Sequence, residues 1–339
     1  MINGPGPARP SLLRLMATGL YHTGVLRTLS VAAGYVQGAQ AFQILTFHRV
    51  NDDHDPFFPA LGIEVFERQM TYIAGAYRVL TVEELVDRMR RHALPRNALA
   101  ITFDDGYRDT LSHAAPILAR HGLPATIFLA TGFIGTSEVP WFDRVAMAFK
   151  LTSVPAFEAP WGEILPLPDQ AARLRALEAA LARLKRSREP DFARDLERVL
   201  DSLGVSDPRC FKNLMLSWDD VHALAGLGFS LGAHTVTHPI LSRVSASRAR
   251  AEIHGSRAMI ESACGGPPAA FAYPNGGSAD YTETVKHLVR EAGFTCAVTT
   301  RFVVNTRNTS PWELRRGGPW EHHLPIFALK LAWYRMNPS

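Results

Sequence analysis

Ala98-Leu99-Ala100-Ile101-Thr102-Phe103-Asp104-Asp105-Gly106-Tyr107 decides how this chain is read. An uncharged apolar run makes a buried strand, and two carboxylates stand just past its carboxyl end. Adjacent side chains on extended backbone point to opposite sides. One carboxylate can therefore hold a metal ion while its neighbour handles a proton. Asp-Asp-Gly after a strand is also an ordinary turn or a helix N-cap, so the chemical reading needs a partner elsewhere.

His234-Thr235-Val236-Thr237-His238 supplies one, again behind a short apolar strand at 228–233. Spaced i, i+4, the two imidazoles face the same way in a single helical turn. Pro239 argues against a continuing helix, so one turn or a tight loop is expected. A carboxylate with two imidazoles is a common catalytic zinc set that leaves a position open for water.

Outward from these motifs, strands alternate with helices. Strands are expected at 44–48, 77–80, 125–130, 270–273 and 295–299, and helices at 65–74, 82–91, 108–121, 218–225, 245–263 and 281–292. Thr81 and Glu84 form a capping box for one of them. Such alternation is that of an α/β fold with parallel strands. Residues 137–213 break it. Pro140, Pro155, Pro160, Pro166 and Pro168 dominate the first part, and Leu174, Leu177, Leu181 and Leu184 follow at heptad-like spacing. With Asp191 opening a second helix, this segment predicts an inserted helical hairpin, either packing on the main domain or covering a cleft. The domain plan is a helical segment at 1–40, a main domain at 41–136 and 214–320, the insertion at 137–213, and a C-terminal helix at 321–339.

The chain has 339 residues, a formal charge of +4, 47% hydrophobic and 20% charged residues. That is a soluble enzyme's balance, and so mild a charge is no nucleic-acid footprint. Cys210, Cys264 and Cys296 form no Cys-x-x-Cys, so reduced thiols are expected rather than a disulfide framework. Residues 12–29 are apolar on one face but interrupted by Arg14, His22 and Arg27, and no run is long enough to span a bilayer. No signal peptide is evident, so cytoplasmic residence is expected. The basic N-terminal helix and aromatic C-terminal helix suggest peripheral contact with the inner face of the membrane.

Taken together, the motifs resemble those of the polysaccharide deacetylases, the NodB-homology enzymes of carbohydrate esterase family 4. Thr102 to Gly106 is similar to the first family motif and His234 to His238 to the second. Phe271-Ala272-Tyr273-Pro274-Asn275-Gly276 resembles the third. Ile44-Leu45-Thr46-Phe47-His48-Arg49-Val50 resembles the strand-borne histidine of the circularly permuted subgroup that deacetylates poly-N-acetylglucosamine. The resemblance covers 41–316, less the insertion, and implies a distorted (β/α)7-type barrel.

It also implies roles. Asp105, His234 and His238 become ligands of a divalent metal, zinc first with cobalt or nickel as alternatives. Asp104 becomes the general base and His48 the acid that protonates the departing nitrogen. The backbone N–H at Asn275 becomes an oxyanion donor. Many members carry an arginine in the third motif that orients the catalytic aspartate. Ala272 stands there, as in the permuted subgroup, so Arg315 or Arg316 is expected to supply that guanidinium, with Arg315 placed first. Trp141 and Trp218 are candidates for stacking on sugars or for packing, and His322-His323 read as surface. The activity implied is removal of N-acetyl groups from an amino-sugar glycan. An O-acetyl esterase and a non-catalytic carbohydrate-binding barrel are the alternatives.

Overall fold

A computed structural model describes residues 12–25, 28, 41–205, 213–301, 304–318 and 321–336. Helix α1 (Leu12–His22) precedes strand β1 (Ala41–Phe47); helix α2 (Ile63–Ala76), short strand β2 (Arg78–Val79) and helix α3 (Val82–Arg90) lead into β3 (Ala98–Phe103). The Thr81–Glu84 capping box that starts α3 is present. A wide π turn at Thr110–Ala114 opens helix α4 (Ala115–Arg120), which returns to β4 (Thr126–Leu129). The insertion holds helix α5 (Trp141–Leu151), a hairpin of β5 (Ala156–Glu158) and β6 (Ile164–Pro166), and helices α6 (Gln170–Leu184) and α7 (Asp191–Leu203). Helix α8 (Trp218–Gly226), β7 (Ser230–Ala233), α9 (Ala246–Cys264), β8 (Ala270–Ala272), α10 (Glu283–Glu291), β9 (Cys296–Val298), β10 (Asn305–Thr306) and α11 (Leu324–Met336) complete the order.

One sheet runs β10-β1-β3-β4-β7-β8-β9, with β2 added on β3. Its pairs are parallel except β10 on β1. The strands are buried along their length, which is why β1, β3 and β4 read as apolar runs rather than alternating ones. The sheet curls, and segment 311–317 links its two ends: Leu314 N–H donates to Ala297 at 3.0 Å and Gly317 N–H to Ile44 at 3.1 Å. The expected α/β barrel is therefore realised as a curled sheet closed by irregular chain. Register places function: Phe47 pairs with Phe103 and Leu129 with Ala233, so His48, Asp104 and His234 all emerge at the carboxyl edge.

The insertion differs from the expected hairpin. Pro140 stands just before α5, where its missing N–H costs nothing; Pro155 and Pro168 flank the β5–β6 hairpin, Pro160 lies in its connection and Pro166 ends β6. The subdomain has a core of its own, built on Phe149, Phe157, Leu184 and Val199, and Tyr107 and Phe133 of the main domain join it. The leucine series packs α6 within this cluster. Helix α11 lies on β1 and α2 as expected, with Phe327 and Leu331 buried and Gln43 donating to the Leu331 carbonyl at 3.2 Å. Cys264 and Cys296 are free thiols, while Cys210 lies outside the described residues, as do residues 26–27 and 29–40 of the expected N-terminal helical segment.

Candidate active site

Asp104 and Asp105 leave β3 in different directions because the backbone turns sharply there. Asp105 sits in the left-handed region at φ 71° and Gly106 follows at φ 88°. Thr235, His238 and Asn275 share that conformation at φ 66°, 55° and 62°. Strain of this kind persists where the surroundings over-determine it, and here it gathers on the three motifs.

Asp105, His234 and His238 converge. His234 Nε2 and His238 Nε2 lie 3.6 and 3.4 Å from Asp105 Oδ1, and 3.1 Å from each other. Tetrahedral coordination with zinc–ligand bonds near 2.0–2.1 Å sets donors about 3.3 Å apart. The Oδ1 of Asp105 is buried with no hydrogen-bond partner, an orphaned acceptor that a cation satisfies. His234 is fixed by its other nitrogen, Nδ1, 2.8 Å from the Ala272 carbonyl. These residues fit a divalent metal. They form a group able to hold one, each buried.

Second contacts hold the histidine loop. Glu252, buried on α9, accepts from the N–H groups of Val236 and Thr237 at 2.9 and 2.8 Å and from the Thr237 hydroxyl at 2.6 Å. In the short 3-10 turn after β4, the Thr131 and Gly132 N–H groups donate to the Thr235 and Val236 carbonyls. Gly132 is required, because a Cβ there would lie 2.8 Å from the Val236 carbonyl oxygen. The loop is thus a tight loop and not a helical turn.

Asp104 faces the barrel interior. Arg316 grips both its oxygens at 2.6 Å and also reaches the Thr102 hydroxyl and the Thr299 carbonyl. The arginine expected at 315 is therefore Arg316. Arg315 meets Asn305 through its backbone N–H and carbonyl. Residues alternate sides along the closing segment, so Leu314 and Arg316 turn into the barrel, both fully buried, and Arg315 does not share their side.

Electrostatics separate the two aspartates. Burial alone would raise Asp104, but Arg316 outweighs it and holds the carboxyl well below the usual range. Burial, Asp104 and Asp143 together push Asp105 well above it in the metal-free site. Burial lowers His234 to about 4 and His238 well below its ordinary value, so both imidazoles are neutral ligands near pH 7. His48 stands at the cavity wall with 46% of its side chain exposed and Nε2 3.9 Å from Asp104 Oδ2. Desolvation lowers its pKa against the pull of Asp104.

The polysaccharide deacetylase family model matches residues 91–297, more than half of the chain. The chain belongs to that family. As a member it is a hydrolase. A polysaccharide deacetylase of Bacillus subtilis by its given name, YxkH, is 32% identical over 94 residues, 27% of this chain and 33% of that protein. The match thus spans about a third of that relative's length. Among solved structures, the Streptococcus pyogenes deacetylase PplD in complex with acetate aligns at TM-score 0.58 and 18% identity, covering 88% of this chain and 99% of that one. IcaB from Ammonifex degensii aligns at 0.57 and 20%, covering 89% and 99%. A de-N-acetylase from Aggregatibacter actinomycetemcomitans aligns at 0.53 and 15%, covering 81% and 94%. These three show the fold.

In this deacetylase the motif residues line one cavity of about 560 Å³ together with Asn275 and Lys185. Asn275 Nδ2 donates to Asp280 at 2.6 Å, and its carbonyl accepts from the Thr300 hydroxyl. Among the described residues its backbone N–H has no protein acceptor. The insertion roofs the cavity with Trp141, Phe142 and Leu181, so the segment expected either to pack or to cover does both. Trp141 is nearly buried and meets Phe192 edge-on at 5.3 Å, while Trp218 packs against the core. Of the expected surface pair His322-His323, His322 is exposed, but His323 is half-buried and its Nδ1 lies out of solvent.

Three contributors escaped the sequence reading: Glu252, Tyr107 and Asp143. Glu252 sits mid-helix with no motif around it. Asp143 lies in the insertion, where the expectation was of structure rather than chemistry. Tyr107 directly follows the Asp104-Asp105-Gly106 motif, and its hydroxyl, 2.8 Å from Asp143, joins barrel to insertion.

Proposed function

We propose that this chain hydrolyses N-acetyl groups of an amino-sugar-containing glycan at a single divalent metal held by Asp105, His234 and His238, with zinc the first choice. The convergence of those three side chains around the orphaned Asp105 oxygen, beside a separately anchored Asp104, carries the reading. A divalent ion bound there supplies Lewis-acid polarisation of the acetyl carbonyl and a water whose pKa falls to about 7.

The chain's own groups do the rest. Asp104, held ionised by Arg316, takes the proton from the attacking water. A carboxyl so stabilised as an anion passes that proton on readily. His48 Nε2 stands 3.9 Å from Asp104 Oδ2 at the open side of the cavity, and once charged it protonates the departing nitrogen. The Asn275 N–H stands free to donate to the oxyanion. Aromatic walls (Phe57, Phe58, Tyr107, Trp141 and Phe142) beside a few polar and charged groups suit a sugar ring.

Acetate release from a panel of N- and O-acetylated glycans tests the proposal, with the protein chelated or loaded with zinc, cobalt or nickel, and Asp104→Asn as control. Release from N-acetylated glycans by metal-loaded protein only, lost in Asp104→Asn, is expected. Equal activity in Asp104→Asn sinks the base assignment, and full activity after chelation sinks the metal role.

Peripheral membrane contact belongs to the same proposal. Leu12, Leu15 and Met16 of α1 and Trp333 of α11 are exposed apolar residues on two helices that pack together. No helix among the described residues is long and apolar enough to cross a membrane. Cosedimentation with anionic liposomes, lost in Leu15→Glu/Trp333→Glu, is expected; no cosedimentation of the parent protein removes the idea. Cytoplasmic residence at the inner face is the location proposed, and cell fractionation tests it.

A further inference from the structure

Asp143 occupies an unusual position for a residue in the first turn of a helix. Such carboxylates usually face solvent and offset the helix's own N–H groups. Asp143 is 5% exposed and turns instead into the catalytic cavity. Among the described residues its one side-chain hydrogen-bond partner is a hydroxyl: Tyr107 donates to Oδ2 at 2.8 Å. Arg49 is close enough to favour its charge, yet that guanidinium is committed elsewhere, 3.0 Å from Asp109 and 5.2 Å over the Tyr107 ring. Among the described residues, nothing donates to the second Asp143 oxygen.

A nearly buried carboxylate with one hydrogen bond and no dedicated countercharge is costly. It is not a metal ligand, since the converging donors are those of Asp105, His234 and His238. Nor is it joined to Asp104. What it offers the cavity is an acceptor, and a sugar ring offers the matching donors, a hydroxyl on nearly every carbon.

Resting on the glycan deacetylase reading above, we propose that Asp143, carried into the cavity by the inserted subdomain and held by Tyr107, recognises the sugar by accepting a hydrogen bond from a hydroxyl beside the acetamido group. The neighbouring residues support this. Trp141 and Phe142 line the same cavity, and Phe142 lies edge-on to His238 with ring centres 5.1 Å apart. A sugar seated against those rings has its hydroxyls at the Asp143 end and its acetyl group toward the metal ligands. The insertion thereby acts as the specificity element of the enzyme, and Asp143 as its polar reader.

The zinc-loaded full chain tests this with an N-acetylglucosamine oligosaccharide, its monodeoxy analogues, and 4-nitrophenyl acetate, which has an acyl group but no sugar hydroxyl. Removing an acceptor for a charge-assisted hydrogen bond lowers kcat/KM on the oligosaccharide by about 10- to 100-fold, chiefly through KM. Asp143→Ala is expected to show that loss and to hydrolyse 4-nitrophenyl acetate within about threefold of the parent. One deoxy analogue should be as poor a substrate for the parent as the intact sugar is for Asp143→Ala, with no further loss when the two are combined. Asp143→Asn keeps the shape and the fold and is expected to fall between. Parallel losses on both substrates mark a structural role and overturn the inference, as does full glycan turnover by Asp143→Ala. Failure of the parent chain to release acetate from any glycan overturns the function proposed above, and this inference with it.

Discussion

Arg316 and Asp104, 212 residues apart in sequence, form a two-pronged ion pair inside the barrel, each guanidinium nitrogen 2.6 Å from its own carboxylate oxygen. The pair is fully desolvated, and Arg316 lies 5.1 Å over the Phe128 ring. A planar fork makes both contacts at once, which a lysine cannot do. The closing segment that follows β10 carries that side chain into the barrel.

Removing Arg316 leaves an uncompensated buried carboxylate. Breaking such a pair costs about 3–5 kcal/mol. Arg316→Ala should lower the melting temperature and also raise the Asp104 pKa toward the working range of the enzyme. Acetate release is expected to drop at least about a hundredfold, with the acid limb of the pH–rate profile moved to higher pH. Arg316→Lys should recover stability better than activity, and Arg315→Ala should stay within about threefold of the parent. An unshifted acid limb in Arg316→Lys would show that Asp104 owes its ionisation to something else.

Glu252 controls the histidines without touching a ligand atom. It pins the loop between them by three hydrogen bonds and pairs with Arg248 at 2.8 Å. Outer contacts of this kind are worth about 10- to 100-fold in metal affinity. Glu252→Gln can keep its carbonyl oxygen on the two N–H groups, but its amide NH2 then stands where Oε1 accepted from the Thr237 hydroxyl and paired with Arg248. Zinc titration by calorimetry should show the weakened binding, and excess zinc should restore most of the turnover. Unchanged zinc affinity would assign the rigidity of the loop to Thr131 and Gly132 alone.

The order of strands along the chain and the two motifs that carry Asp105, His234 and His238 were legible because both depend on local pattern. Apolar runs such as 98–103 mark strands covered on both faces, and the motif residues follow each run directly. Arg316 against Arg315 was not legible, since the side an irregular segment presents depends on the hydrogen bonds Leu314 and Gly317 make across the closing gap. Helix α5 was hidden for a related reason. Pro140 reads as a breaker, yet just ahead of the first helical residue it is tolerated, and the helix behind it is fixed by the Phe149–Phe157 core rather than by propensity. Asp143 could not be placed near Tyr107 until the insertion was folded back over the sheet.

His48 separates amide from ester chemistry. An amine leaves only when protonated, whereas an activated alkoxide or phenoxide leaves unaided. Removing a positioned acid costs about 10²- to 10⁴-fold when its proton is needed. His48→Ala is expected to lose that much on N-acetylated oligosaccharides and less than about tenfold on 4-nitrophenyl acetate. Equal losses on both would move His48 from proton donor to substrate binder and would favour an esterase over an amidase.

Asp143 also predicts a pH-dependent stability of definite sign. Burial raises its pKa from 3.8 to about 7, against the opposing pulls of the Tyr107 hydroxyl and Arg49. Below the unfolded value the carboxyl is protonated in both states and costs nothing. Between the two values the unfolded chain has released a proton that the native protein keeps, so the unfolded state binds fewer protons and stability falls as pH rises, by about 1.4 kcal/mol per pH unit for one such group. Above about 7 the loss is complete and the curve is flat again. Asp143→Asn never acquires the charge. Its melting temperature should match the parent near pH 4 and exceed it by several degrees near pH 8, even though glycan turnover is impaired. Thermal melts of the two proteins across that range decide the matter: a difference independent of pH would mean that the native carboxyl is ionised throughout, with Arg49 compensating it more fully than its pairing with Asp109 allows.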